Sequence, residues 1–252
     1  MTEAEWMACT DPQKMVEFLR DKYSIRKFRL FAVGCCRKIT HLMLKTKLGY
    51  RATVMVEKIA DGLPIAESRD EFRSRLCAED YEYGRIDREE WSVTKEDYAI
   101  YHSGGAAYYA LEEDPYFIGA IEKEYEKPGI MEVLNEVAWA AAHWERKTSR
   151  HFVKKGWIPR ELRNLVPVIN EVFGNPFRPL PQLPSTILNW NDGIVQRLSQ
   201  VIYNERSFDQ MPILADALEE AGCTDTDILN HCRQPGEHVR GCWVVDLILG
   251  KS

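Results

Sequence analysis

In the first part of the stretch 207–250, apolar side chains return every three or four positions. That spacing lines one face of a helix and would scatter over both faces of a strand. Leu214, Leu218 and Ala221 follow Pro212, which suits a first helical turn because its missing N–H has no partner there. Gly222 fits the left-handed position that ends a helix. Thr224 or Asp225 then caps a short helix carrying Ile228 and Leu229, and Pro235-Gly236 breaks it. Residues 239–249 are nearly all apolar but too few to span a bilayer. The run is therefore a buried element, helix or inner strand, and the Gly250 stop and the helical context favour helix. Asp246 inside that run needs a partner once buried, and Arg240 and Arg233 are the candidates.

The same periodicity organises the rest of the chain. A short helix over 2–6 comes first; Thr10 or Asp11 then caps a helix with Pro12 in its first turn. Ser24 caps a long helix running towards Leu44, with Phe28, Phe31, Cys35, Cys36, Ile39 and Leu42 on one face. Further helices are expected over 50–60, 66–81, from Thr94 onward, 115–125 and 130–151, with a polar loop at 84–90. Gly104-Gly105 either interrupts the helix after Thr94 or lets another helix approach. Pro167 kinks or splits the helix that begins near Pro159. Four prolines, at 176, 179, 181 and 184, make an extended connector over 175–185, and a helix over 191–204 leads into the tail. Strand alternation is weak and no βαβ unit appears. The expected fold is therefore all-α, a multi-helix bundle of about nine to twelve helices. Its N-terminal region covers 1–174. The connector and C-terminal segment cover 175–252 and pack back on the first region, or the whole is one domain.

Chemistry-bearing residues gather in two places. The first is the turn holding His231, Cys232, His238 and Cys242. Imidazoles and thiolates suit a structural zinc ion, and His238 and Cys242, four apart, would share a helix face. Against that stand the absence of any CxxC pair and the commonness of buried core cysteines. A Cys–His catalytic pair is the third reading. The second place is the basic window over 22–51, where nine Lys and Arg occur without one Asp or Glu. Arg26, Lys27, Arg37, Lys38, His41 and Lys45 form its candidate nucleic-acid face. The same face can instead dock on acidic segments of this chain, such as Glu112-Glu113-Asp114, Glu122, Glu124 and Glu126, or Asp209, Asp216, Glu219 and Glu220.

Other motifs fail on spacing. SGGAA lacks the Gly-Lys-Ser/Thr end of a phosphate loop, and HWERK is not HExxH. No catalytic residue is assigned; His143 and His151 have no paired carboxylate in the sequence. A net charge of −6 does not recommend nucleic acid as the bulk partner. The start, MTEAEWMACTD, lacks the apolar core of a secretory signal. Seven cysteines are an odd count without a disulfide framework, which points to a reducing cytoplasm.

The segments MTEAEWMACTDPQKMVEFL and RKFRLFAVGCCRKI, the FGNPFRP before the connector, and PILADALEEAGC, ILNHCR and HVRGCWVVDLILGK in the tail form one set. Together they resemble a family of uncharacterised proteins from planctomycete-type bacteria. The resemblance implies that the two ends are parts of one recurring unit, and it carries over no catalytic or binding residue. Three functions follow from the sequence. The first is a non-enzymatic helical interaction or regulatory module whose partner is another protein, with no membrane and no cofactor. The second is an accessory protein touching nucleic acid through the basic helix. The third is a metal- or thiol-dependent site at His231, Cys232, His238 and Cys242.

Overall fold

A computed structural model describes residues 1–46, 48–89, 95–111, 129–144 and 157–252. Among the described residues there are fifteen α-helices, one 3-10 turn and no strand, so the protein is all-α. The count exceeds the expected nine to twelve because single turns such as Thr40–Met43 and Ser185–Leu188 stand as separate helices. No helix among the described residues is long and apolar enough to cross a membrane. The chain divides into two compact units, Met1–Ile169 and Asn170–Ser252.

The first unit contains α1 (Glu3–Ala8), α2 (Pro12–Leu19), α3 (Ile25–Arg37), α4 (Thr40–Met43) and α5 (Gly49–Ala60). It continues with α6 (Arg69–Glu89), α7 (Lys95–Ala110), α8 (Gly129–Trp144) and α9 (Trp157–Arg163). Local chemistry sets the starts. Thr2 and Glu5 make a reciprocal capping box for α1, Asp11 accepts from Gln13 and Lys14 at the head of α2, and Ser24 accepts from Lys27 at the head of α3. Helix α3 is an inner helix of this unit. It packs on α5, α7 and α8 and buries Phe28, Leu30, Phe31, Val33, Cys35 and Cys36. The two adjacent cysteines are packed thiols with no exposed surface.

Two expectations for this unit are corrected. The long helix after Ser24 does not reach Leu44. Ile39 leaves the helical region at φ −116°, ψ 25°, and the Thr40 hydroxyl donates to the Arg37 carbonyl at 2.8 Å, which closes α3 and opens α4. The polar stretch 84–89 is helix rather than loop, since α6 continues to Glu89; it holds no proline, and one glycine costs a helix only about 1 kcal/mol. Helix α7 runs unbroken through Gly104-Gly105. A Cβ on Gly105 would lie 2.9 Å from a Glu136 carboxylate oxygen, so the glycine admits α8 at close range. Thr94, the 115–125 helix, the acidic residues between 112 and 126, Glu145 and His151 lie outside the described residues.

Helix α10 (Val166–Phe173) carries the chain into the second unit, with Pro167 in its first turn splitting it from α9. Then follow α11 (Ser185–Leu188), α12 (Trp190–Glu205), α13 (Met211–Glu220), α14 (Thr226–Arg233) and α15 (Trp243–Leu249). Pro212 sits in the first turn of α13, and Gly222 adopts φ +93° beyond its end. Asp225 caps α14 by accepting from Asp227 and Ile228, each at 3.0 Å. Gly250, at φ +65°, ends α15. The core of this unit joins Val195 and Ile202 of α12 with Met211, Leu214 and Leu218 of α13. From the last two helices it takes Ile228, Cys232, Val244, Val245 and Ile248.

Candidate metal centre

Four side chains converge at one end of the second unit: Glu171, His231, His238 and Cys242. Each offers one ligand atom, and all four atoms lie within 4.8 Å of one another. Glu171 comes from the last turn of α10 and His231 from the last turn of α14. His238 stands in the loop after Pro235-Gly236, and Cys242 is the residue from which α15 starts. The loop makes its final turn at Gly241, whose φ of +94° suits only a residue without a Cβ. His238 and Cys242 are therefore presented by a turn, not by the helix face that their spacing suggests. Gly174, at φ +65°, ends α10 directly beneath Trp243; a Cβ there would lie 3.3 Å from the indole.

The contacts are short and almost dry. His231 Nε2 lies 3.2 Å from Glu171 Oε2 and 3.2 Å from Cys242 Sγ. His238 Nδ1 lies 3.1 and 3.0 Å from the two oxygens of Glu171, and the Val239 N–H donates to Glu171 Oε1 at 3.4 Å. Glu171 and His231 are 4% and 8% exposed, and Cys242 is wholly buried. The far nitrogen of His231, Nδ1, faces Trp243 Nε1 at 3.1 Å and Gln234 Nε2 at 3.2 Å.

Burial alone would raise the carboxyl of Glu171, but the environment supplied by His231 and His238, led by their hydrogen bonds to it, outweighs burial and holds the group at about 2. The thiols move the other way. Burial first, and the Glu171 charge second, push Cys242 well above the ordinary thiol value and Cys232 up to about 12. Without a cation, both sulfurs are protonated at neutral pH. The raised thiols oppose a thiolate nucleophile, and His231 Nδ1 faces an indole N–H rather than a carboxylate. A divalent cation inverts this logic, since coordination deprotonates a thiol outright.

The structure brings together three of the four residues picked out in the tail and exchanges the other. Cys232 follows His231 on α14, and successive helical side chains diverge by about 100°. With His231 turned to Glu171, Cys232 points into the apolar core among Ile228, Val244 and Val245. Its place is taken by Glu171, which spacing in the tail could not reveal. The available signal was different: Glu171 falls three residues after Val168 on the apolar side of α10, a position that buries a carboxylate. Arg233, one candidate partner for Asp246, pairs instead with Asp216 at 2.8 Å and Glu219 at 2.6 Å.

The basic window over 22–51 has internal partners. Arg26 pairs with Asp61 at 3.2 Å, Arg37 with Glu57 at 2.5 Å, and Arg51 with Glu67 at 3.4 Å. Lys27 is buried, Lys38 is half-buried, and His41 and Lys45 are exposed; Lys47 lies outside the described residues. The acidic partners named here come from α5 and the segment that follows it; the acidic residues between 112 and 126 lie outside the described residues.

Comparison with protein-family models, with curated proteins and with solved structures finds no match.

Proposed function

We propose that the C-terminal unit is a metal-clasped helical module, that its ion is zinc, and that the protein is a non-enzymatic interaction module built on it. The observation that carries the reading is the convergence of one carboxylate, two imidazoles and one thiol, from three separate pieces of chain, within 4.8 Å. Nitrogen, sulfur and oxygen donors in that mixture suit zinc rather than magnesium or calcium, which take all-oxygen shells. Tetrahedral bonds of about 2.0–2.3 Å place neighbouring donors roughly 3.3–3.7 Å apart. The pairs now at 3.0–3.2 Å would open by a few tenths of an ångström, and the widest, up to 4.8 Å, would close by about 1 Å. Four protein donors leave no open position for substrate, which makes the ion structural. The ion ties α10, the end of α14 and the start of α15 into one rigid end. Seven free cysteines fit a reducing cytoplasm, where a thiol ligand persists.

Elemental analysis of the purified chain tests the reading. About one zinc per chain is expected, removed by a chelator at the cost of thermal stability and restored by zinc. Cobalt in its place gives a thiolate-to-metal charge-transfer band that Cys242→Ser abolishes and Cys232→Ser leaves intact. A chain that purifies without metal and ignores added zinc and chelator overturns the proposal.

A further inference from the structure

A ring nitrogen ligates a metal through its lone pair, and a neutral imidazole has one lone pair and one N–H. His231 turns Nε2 towards Glu171 and Cys242, and Nδ1 towards Trp243 and Gln234. The indole nitrogen of Trp243 only donates, so at 3.1 Å it makes Nδ1 an acceptor. The ring proton then sits on Nε2, in the place a cation would take. The amide of Gln234 differs from the indole, because half a turn exchanges its donor end for its acceptor end.

We propose that Trp243 and Gln234 set the metal affinity of this centre by choosing the tautomer of His231. Trp243 holds the metal-free tautomer, and Gln234, turned to present its oxygen, holds the metal-bound one. The inference rests on the metal reading above. In loading, the proton of His231 moves from Nε2 to Nδ1 and that of His238 from Nδ1 to Nε2. The Cys242 thiol gives its proton to solvent and Glu171 stays ionised. A dication with one thiolate and one carboxylate leaves the buried centre neutral, and no electron is transferred. The new Nδ1–H then meets the Trp243 N–H donor to donor. The indole lies against α10 at Gly174, close enough that a Cβ there would come within 3.3 Å of it. Metal-bound histidines normally donate their second N–H to an acceptor. Here the fixed neighbour is a donor, and Gln234 is the neighbour able to reverse.

The test measures zinc affinity of the full chain, stripped by chelator, in competition with a chromogenic chelator. Trp243→Phe keeps an aromatic ring over Gly174 and removes the N–H; it is expected to bind zinc about 10-fold more tightly. Gln234→Leu removes the acceptor and is expected to bind about 10-fold more weakly. Opposite signs are the mark of tautomer choice, since damaged packing weakens both. Long-range proton–nitrogen NMR of the wild-type chain supplies a readout that depends on no variant. It should find the His231 proton on Nε2 without zinc and on Nδ1 with it. Equal affinities, two weakened variants, or an Nδ1 proton in the metal-free wild type overturn this inference and leave the metal reading standing. Zinc binding by none of the three proteins overturns both.

Discussion

Glu171→Gln is the most direct probe of the clasp, and its effect follows from the metal-free geometry. Three donors converge on the Glu171 carboxylate: His231 Nε2, His238 Nδ1 and the Val239 N–H. A glutamine of the same shape offers one oxygen and turns an NH₂ against the remaining donors, leaving a buried mismatch. The carboxyl is lowered from 4.5 to about 2 in the folded chain. At about 1.4 kcal/mol per unit, its ionised form is favoured by roughly 3 kcal/mol. The variant should therefore lose about 3 kcal/mol near pH 7 with chelator present, and a unit of this size should melt about 10–25 °C lower. The sign of the pH dependence is fixed by the depressed value. The stabilisation is complete above 4.5 and is lost as pH falls through about 2, so wild type and variant should converge across that window. Urea unfolding with hydrogen exchange read over residues 170–252 measures both quantities. A difference under about 0.5 kcal/mol at neutral pH, or one that persists unchanged at pH 2, refutes the reasoning.

Two further outcomes are expected. Arg37→Met removes the guanidinium 2.5 Å from the buried Glu57 carboxylate and should cost about 2 kcal/mol in chemical unfolding, less than a fully buried pair because Arg37 is 21% exposed; adding Glu57→Leu should recover part of the loss. A nucleic-acid assay on Arg37 variants is informative only beside that stability measurement, and an unchanged unfolding midpoint would show that the pair does not hold α3 to α5. Alkylation followed by mass spectrometry should label Cys77 first and Cys9 next. Cys35, Cys36, Cys223, Cys232 and Cys242 should react only on unfolding, because burial removes access and raises each thiol. Rapid labelling of Cys232 in the folded chain would restore the thiol-enzyme reading.

The helices were legible because a helix is written locally. Ser24, Asp11 and Asp225 cap the segments that follow them, and Gly222 and Gly250 end theirs in the left-handed region, each within a few residues of the pattern that announces it. The break between α3 and α4 was missed because its cause is one hydroxyl, that of Thr40, bonding back to Arg37 inside an otherwise continuous apolar stripe. Helical periodicity does not register such a bond. The α6 extension was missed for the converse reason: a polar surface weakens the amphipathic signal without breaking the backbone hydrogen-bond ladder.

The candidate centre divides along the same line. His231, His238 and Cys242 lie within twelve consecutive positions, so the turn that gathers them is visible in the sequence. Which neighbour of His231 completes the set depends on the direction α14 faces, and that is decided by core packing. Ile228 and Leu229 must enter the core; Cys232 lies four and three positions after them and goes in with them, while His231 is turned to the rim. Glu171 belongs to another helix, far back along the chain, and no spacing rule reaches it. What the sequence does show is a carboxylate on the buried side of α10, a placement that costs several kcal/mol unless donors or a cation meet it. That unmet cost is the physical link between the two segments: a buried acid in one requires cationic or hydrogen-bond-donating partners, and the imidazoles of the other supply them.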